Sequence, residues 1–123
     1  MELALWIAQI ILAVMFGMAG IMKSTQPKEK LAKGLPWTTD VSTPTVRIIG
    51  ISELLGALGL ILPAATGILP ILTPIAATGL AVIMVLAIVT HARRKESQAI
   101  VFTVVLLAVS AFVALGRFGV FGA

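Results

Sequence analysis

The sequence predicts an all-α integral membrane protein, a four-helix bundle with both termini on the extracytoplasmic side. Hydrophobic residues make up 59% of the 123 residues and charged residues only 11%, whereas soluble domains carry about 25% charged residues. Four apolar stretches approach the roughly 20 residues that a helix needs to cross a bilayer. Lipid-exposed backbone must satisfy its own hydrogen bonds, so all four should be helices. This composition excludes an ordinary soluble fold and a disordered chain.

The first two predicted spans are apolar stretches that each carry a polar side chain. Span one covers residues 3–22 and contains Gln9. Span two covers residues 45–62 and contains Glu53. Pro44 stands just before span two, where its fixed φ suits the first turn of a helix.

A turn rich in proline and glycine precedes the third predicted span. Span three covers residues 71–90, and a charged run over residues 91–96 separates it from span four, residues 98–115. A chain of this length is expected to form one domain, residues 1–123.

The basic residues predict the topology. Eight of the nine lysines and arginines lie at the connections between spans one and two and between spans three and four, and Arg117 lies at the other side. The positive-inside rule then puts both basic connections in the cytoplasm. We therefore expect a multi-pass protein of a bacterial-type plasma membrane. The net charge of +4 reflects topology and lipid contact, so nucleic acid is not an expected partner.

The cytoplasmic basic loop, residues 24–43, has two interpretations. Residues 27–35 could form a short interfacial helix, with lysines toward the lipid head groups and Leu31 and Leu35 turned inward. Alternatively, the loop is solvated and only sets the topology. In both cases Trp37 is placed as an interfacial anchor.

Among the charged residues, Glu53 most requires an explanation, because it lies inside a predicted span. It lies six residues beyond Arg47, which puts it about 9 Å deeper along a helix. An ionisable group inside the bilayer costs about 2.5–3.5 kcal/mol on insertion scales. Its candidate partners are Lys23, His91 and Arg47. A structural salt bridge and a functional role both remain open.

Helical spacing puts further polar residues on the faces predicted to point inward. The candidates for ligand binding or proton relay are Glu53, Lys23, His91, Arg117, Gln9 and Ser52. Some have structural explanations as well. A cation at a helix C-terminus, such as His91, is favoured by the helix dipole, and Arg117 could anchor the chain at the outer interface.

Several residue types and motifs that carry chemistry are absent from the sequence. The chain has no cysteine and a single histidine, which excludes thiolate metal sites and a histidine pair for haem. It also lacks the GxxxxGK[ST] phosphate loop. We therefore predict no metal and no covalently bound cofactor, and a self-sufficient enzyme is not expected.

Four segments of the chain resemble the DoxX-like family of small four-helix membrane proteins. The glutamate-glycine segment in span two is the most specific of them. The segments are FGMAGIMK (16–23), IGISELLGALGLILP (49–63), AIVTH (87–91) and ALGR (114–117). The resemblance implies an integral membrane bundle in which Lys23, Glu53, His91 and Arg117 are recurrent polar positions.

The resemblance also implies a functional setting. The family takes its name from a subunit of a thiosulfate:quinone oxidoreductase, and relatives are associated with redox complexes or with assembly and trafficking of membrane proteins. The first hypothesis is therefore an accessory membrane subunit that binds a quinone and serves a redox partner. Because cysteine is absent, a role in thiol exchange is not carried over.

Two other functions remain open. One is a proton-coupled small-molecule exporter that works as a homodimer and uses Glu53. The other is a chaperone or scaffold for membrane proteins that uses lipid-facing helix surfaces. The lipid bilayer is a partner in every case.

Overall fold

The computed structural model describes residues 1–120, and it confirms the all-α prediction. No strand occurs among these residues. The elements are α1 (Glu2–Thr25), α2 (Lys28–Gly34), a 3₁₀ helix (Pro36–Asp40), α3 (Thr43–Thr66), α4 (Leu72–Arg93) and α5 (Ser97–Arg117). Helices α1, α3, α4 and α5 are long and apolar enough to cross a membrane. They continue past most of the predicted span ends, because polar residues can prolong a helix beyond the hydrocarbon layer.

The ends of α3 have clear local causes. The Ser42 hydroxyl accepts a hydrogen bond from the backbone N–H of Thr45 at 3.3 Å, and Pro44 occupies the first turn. Such an N-cap satisfies a donor that the helix itself leaves free. At the other end, Gly67 adopts a left-handed conformation with φ of 72°, which glycine tolerates without steric cost.

The four long helices form a closed ring. Helix α1 packs against α3 and α5, and α4 packs against α3 and α5. Consecutive long helices run antiparallel, so α1 begins and α5 ends at the same end of the bundle, called here the terminal end. The opposite end carries the two basic connections and is called the basic end. Apolar side chains fill the interior, among them Leu12, Phe16, Leu60, Leu80 and Val113.

Many large hydrophobic side chains point away from this interior. More than half of the surface is exposed in each of Ile10, Val14, Leu55, Leu86 and Val101. A soluble protein rarely exposes apolar patches of such extent. The outer surface of the ring therefore faces lipid.

The backbones of helices α1 and α3 approach each other closely at two glycines near the basic end. A Cβ atom on Gly20 would lie 2.6 Å from the backbone oxygen of Gly50, and one on Gly50 would lie 2.6 Å from the Cβ of Lys23. Small residues allow such backbone approach in lipid. This contact brings the last turn of α1 against the first half of α3.

The loop between α1 and α3 is folded. Helix α2 forms over Lys28–Gly34, as the interfacial-helix interpretation predicts, and buries Leu31. The Lys28 ammonium donates to the backbone oxygen of Val41, and Thr38 is buried. These contacts hold the segment that carries Trp37 across the basic end.

Candidate functional site: an ion pair at one end and an arginine cluster at the other

A buried ion pair connects α1 and α3 near the basic end. The Lys23 ammonium donates to Glu53 Oε1 at 2.6 Å. Glu53 is 1% exposed and Lys23 is 9% exposed. The close approach at Gly20 and Gly50 positions both side chains, since it brings the two helix backbones together. Of the three predicted partners of Glu53, Lys23 is the one that the structure pairs with it.

Two further groups surround Lys23. Its Nζ lies 5.3 Å from the centre of the Trp37 ring, within the range of a cation–π interaction. The Arg47 guanidinium donates to the backbone oxygen of Lys23 at 2.8 Å. Arg47 therefore satisfies the end of α1 and is not a direct partner of Glu53.

The ion pair retains unused hydrogen-bonding capacity. A carboxylate offers two oxygens and an ammonium three N–H donors. Within residues 1–120, Glu53 accepts its hydrogen bond through Oε1, and Lys23 Nζ donates to that oxygen. Oε2 and the remaining N–H groups can therefore bind one additional small polar group.

His91 is engaged elsewhere at the basic end. Its Nδ1 lies 2.9 Å from Glu96 Oε1, which ties the last turn of α4 to the start of α5. Arg94 contacts Glu96 at 3.4 Å and Asp40 at 2.5 Å. His91, one of the three candidate partners of Glu53, therefore pairs with Glu96, whose carboxylate lies beside its ring.

The Glu96 carboxyl makes the stability of the folded protein depend on pH in the acidic range. The hydrogen bond from His91 lowers the pKa of Glu96 below its ordinary value of 4.5, and Arg94 acts in the same direction. Since the folded pKa lies below the unfolded one, the stabilisation is present above the unfolded pKa and is lost as pH falls through the folded value. As the pH falls below about 4.5, the melting temperature should therefore drop less steeply in Glu96→Gln than in the wild type. Glu29→Gln, at an exposed glutamate, is the matched control, and equal acid slopes in the wild type and Glu96→Gln would contradict this assignment.

A second polar cluster lies at the terminal end. Gln9 is fully buried, and its amide donates to the backbone oxygen of Leu60 at 2.6 Å. Arg117 Nε donates to Gln9 Oε1 at 2.6 Å, and Arg117 Nη1 donates to the Glu2 carboxylate at 2.7 and 3.0 Å. The guanidinium carbon lies 5.5 Å from the Trp6 ring centre. Arg117 thus joins α5 to α1 through hydrogen bonds to Gln9 and Glu2. The interpretation of Arg117 as an anchor at the outer interface does not predict these bonds.

The structure therefore divides the six predicted site residues. Lys23 and Glu53 meet at the basic end, where His91 belongs to a separate network, while Gln9 and Arg117 meet at the terminal end. Ser52 is exposed and faces outward from α3. Sequence reasoning did not identify Glu2 and Trp6 as partners of Arg117. The sequence does place both residues near the start of span one, on the same predicted side of the membrane as Arg117, and this position could have indicated the contact.

The protein has two surface cavities away from the ion pair, and neither is lined by Lys23 or Glu53. One of about 460 Å³ is an open apolar groove between α1 and α5, lined by residues such as Ala8 and Phe112. The other, of about 410 Å³, lies at the terminal end against Trp6 and Arg117.

Residues 7–113 match the family model described as the DoxX-like family. The chain belongs to the DoxX-like family. The resemblance of the four sequence segments is thereby confirmed, and Lys23, Glu53 and His91 lie inside the matched stretch. Arg117 lies beyond it. No curated protein and no solved structure matches the chain. With its four apolar helices, this DoxX-like protein is an integral multi-pass membrane protein.

Proposed function

We propose that this DoxX-like protein is an accessory, ligand-binding membrane subunit that holds a quinone beside the Lys23–Glu53 ion pair and serves a redox partner. One observation carries the proposal: a buried ion pair with unused hydrogen-bonding capacity lies beside an aromatic ring. The second carboxylate oxygen and the remaining ammonium protons, which any singly bonded pair of this kind leaves over, are the groups through which this pair can bind a ligand. The family name supports the choice of a quinone among apolar ligands.

The residues of the pair fit the polar groups of a quinone. Lys23 Nζ can donate to a carbonyl oxygen, and Glu53 Oε2 can accept from the hydroxyl of the reduced form. The flat face of Trp37 offers a surface for a planar ring. A bound quinone supplies reversible electron transfer coupled to proton transfer, and Glu53 can hold a proton at the carboxylate. Neither cavity reaches the ion pair, so quinone binding requires side chains around the pair to rearrange.

Tryptophan fluorescence tests this proposal, because the chain has two tryptophans. In Trp6→Phe the remaining reporter is Trp37, beside the ion pair. Titration of the purified protein in detergent with a short-chain benzoquinone should quench Trp37 in a saturable manner. Glu53→Gln and Lys23→Gln in this background should each weaken binding about tenfold, the equivalent of one hydrogen bond to a charged group.

The matched controls are Glu29→Gln and Lys33→Gln, which alter exposed charges at the basic end. They should leave the quinone titration unchanged. Quenching that rises linearly and equally in all variants would indicate simple partition of quinone into the micelle and would overturn the proposal.

The exporter and the chaperone or scaffold remain predictions. Proton-coupled transport by a homodimer would require uptake of substrate into liposomes that Glu53→Gln abolishes. A scaffold would give defined crosslinks to other membrane proteins in native membranes. No described contact favours either function over the quinone-binding subunit.

A further inference from the structure

The cavity at the terminal end is not used by the proposed function. It measures about 410 Å³ and is partly enclosed. Glu2 and Trp6 of α1, Thr73 of α4 and Arg117 of α5 line it. Helix ends from opposite sides of the ring therefore contribute to one recess at the terminal end, lined by charged and apolar side chains together.

The recess contains a cation whose hydrogen bonds are incomplete. Arg117 uses Nε for Gln9 and Nη1 for Glu2. Its Nη2 is buried and has no hydrogen-bond partner within residues 1–120. Buried polar groups in native structures nearly always have a partner. Because Nη2 is itself buried, a ligand oxygen reaches it only if the guanidinium turns toward the recess and exchanges a bond to Glu2 for one to the ligand.

The recess also contains an anion. The Glu2 side chain is 64% exposed and lies beside the guanidinium. A ligand that carries only negative charge gains from Arg117 and is repelled by Glu2. A ligand that carries both charges can interact favourably with both residues.

We propose that this recess binds the headgroup of a zwitterionic aminophospholipid. Its phosphate is bound by Arg117, and its ammonium is bound by the Glu2 carboxylate. Trp6 packs beside the headgroup at the interface, a position that tryptophan favours in membrane proteins. Because the recess lies where the long helices begin and end, we expect it to meet lipid head groups, and its paired charges then select among them.

Competition between two lipids tests the proposal by native mass spectrometry. The protein in detergent is mixed with equal amounts of phosphatidylethanolamine and phosphatidylglycerol that carry identical acyl chains. The phosphatidylethanolamine adduct should exceed the phosphatidylglycerol adduct about tenfold, the ratio that one hydrogen bond to a charged group provides. Glu2→Gln should reduce this ratio to about one, and Arg117→Gln should reduce both adducts.

Matched controls separate the recess from general surface charge. Glu29→Gln and Arg93→Gln remove exposed charges at the basic end and should leave the ratio unchanged. Because Glu2 is mostly exposed, its substitution tests binding without a change of the core. Equal adducts in the wild type, or displacement of phosphatidylethanolamine by excess inorganic phosphate, would show that the site does not select a zwitterionic lipid headgroup and would overturn the proposal.

Discussion

Lys23→Met should lower the free energy of unfolding by about 3–5 kcal/mol, the usual cost of leaving one member of a buried ion pair without its partner. Glu53 is 1% exposed, so water cannot replace the lost ammonium unless the bundle opens. Unfolding of the purified protein in mixed micelles, followed by helical circular dichroism, measures the change. Lys33→Met, at an exposed lysine of α2, is the control and should have little effect.

A double variant distinguishes the cost of an unpaired charge from lost packing. Lys23→Met combined with Glu53→Met removes both charges and keeps unbranched side chains of similar length. Replacement of a buried ion pair by apolar residues is often neutral or stabilising, so most of the lost stability should return. A double variant as unstable as Lys23→Met would contradict this explanation.

Gly50→Ala should destabilise the bundle by about 1–3 kcal/mol, the usual cost of overpacking a close contact. The new Cβ would lie 2.6 Å from the Cβ of Lys23 and 2.9 Å from backbone atoms of Lys23 and Ser24. Backbone cannot move aside as a flexible side chain can, so α1 and α3 must separate. Thermal unfolding in detergent measures the effect.

The control for the glycine contact is Gly79→Ala on α4. A Cβ at Gly79 meets nothing within 4 Å, and alanine is favoured over glycine in a helix interior by roughly 0.5–1 kcal/mol. Gly79→Ala should therefore match or exceed wild-type stability. A loss at Gly79 as large as the loss at Gly50 would contradict the assignment of the effect to the α1–α3 contact, because helix propensity predicts a gain at both positions.

The sequence predicts the fold well because the bilayer imposes strong constraints on it. Span length, the need to satisfy backbone hydrogen bonds and the clustering of cations act independently and agree. The pairing of Lys23 with Glu53 was also accessible, because both residues lie at comparable depth near the basic end. These inferences depend on how deep a residue lies in the bilayer. In a spanning helix that depth follows from the residue's number, because each residue adds a fixed rise along the axis.

The remaining site contacts depend on features that helical periodicity does not contain. Gln9 shares a helix face with Lys23, yet 14 residues separate them, about 21 Å along the axis, so they belong to clusters at opposite ends. His91 binds Glu96 because the intervening turn reverses the chain, with Lys95 at a φ of 58°. Face and depth must both agree before two residues can form one site, and periodicity indicates only the face.

The separation of the two polar clusters has an electrical consequence. The layer between the two clusters consists chiefly of buried apolar side chains, including Leu12, Phe16, Ala57 and Leu80. Ser110 is an isolated polar group there, since its hydroxyl has no partner within residues 1–120. Such an apolar layer disfavours charge and separates the two clusters electrically. For the proposed quinone site, we therefore expect any proton exchange at Glu53 to take place at the basic end, where the ion pair lies, and not across this layer.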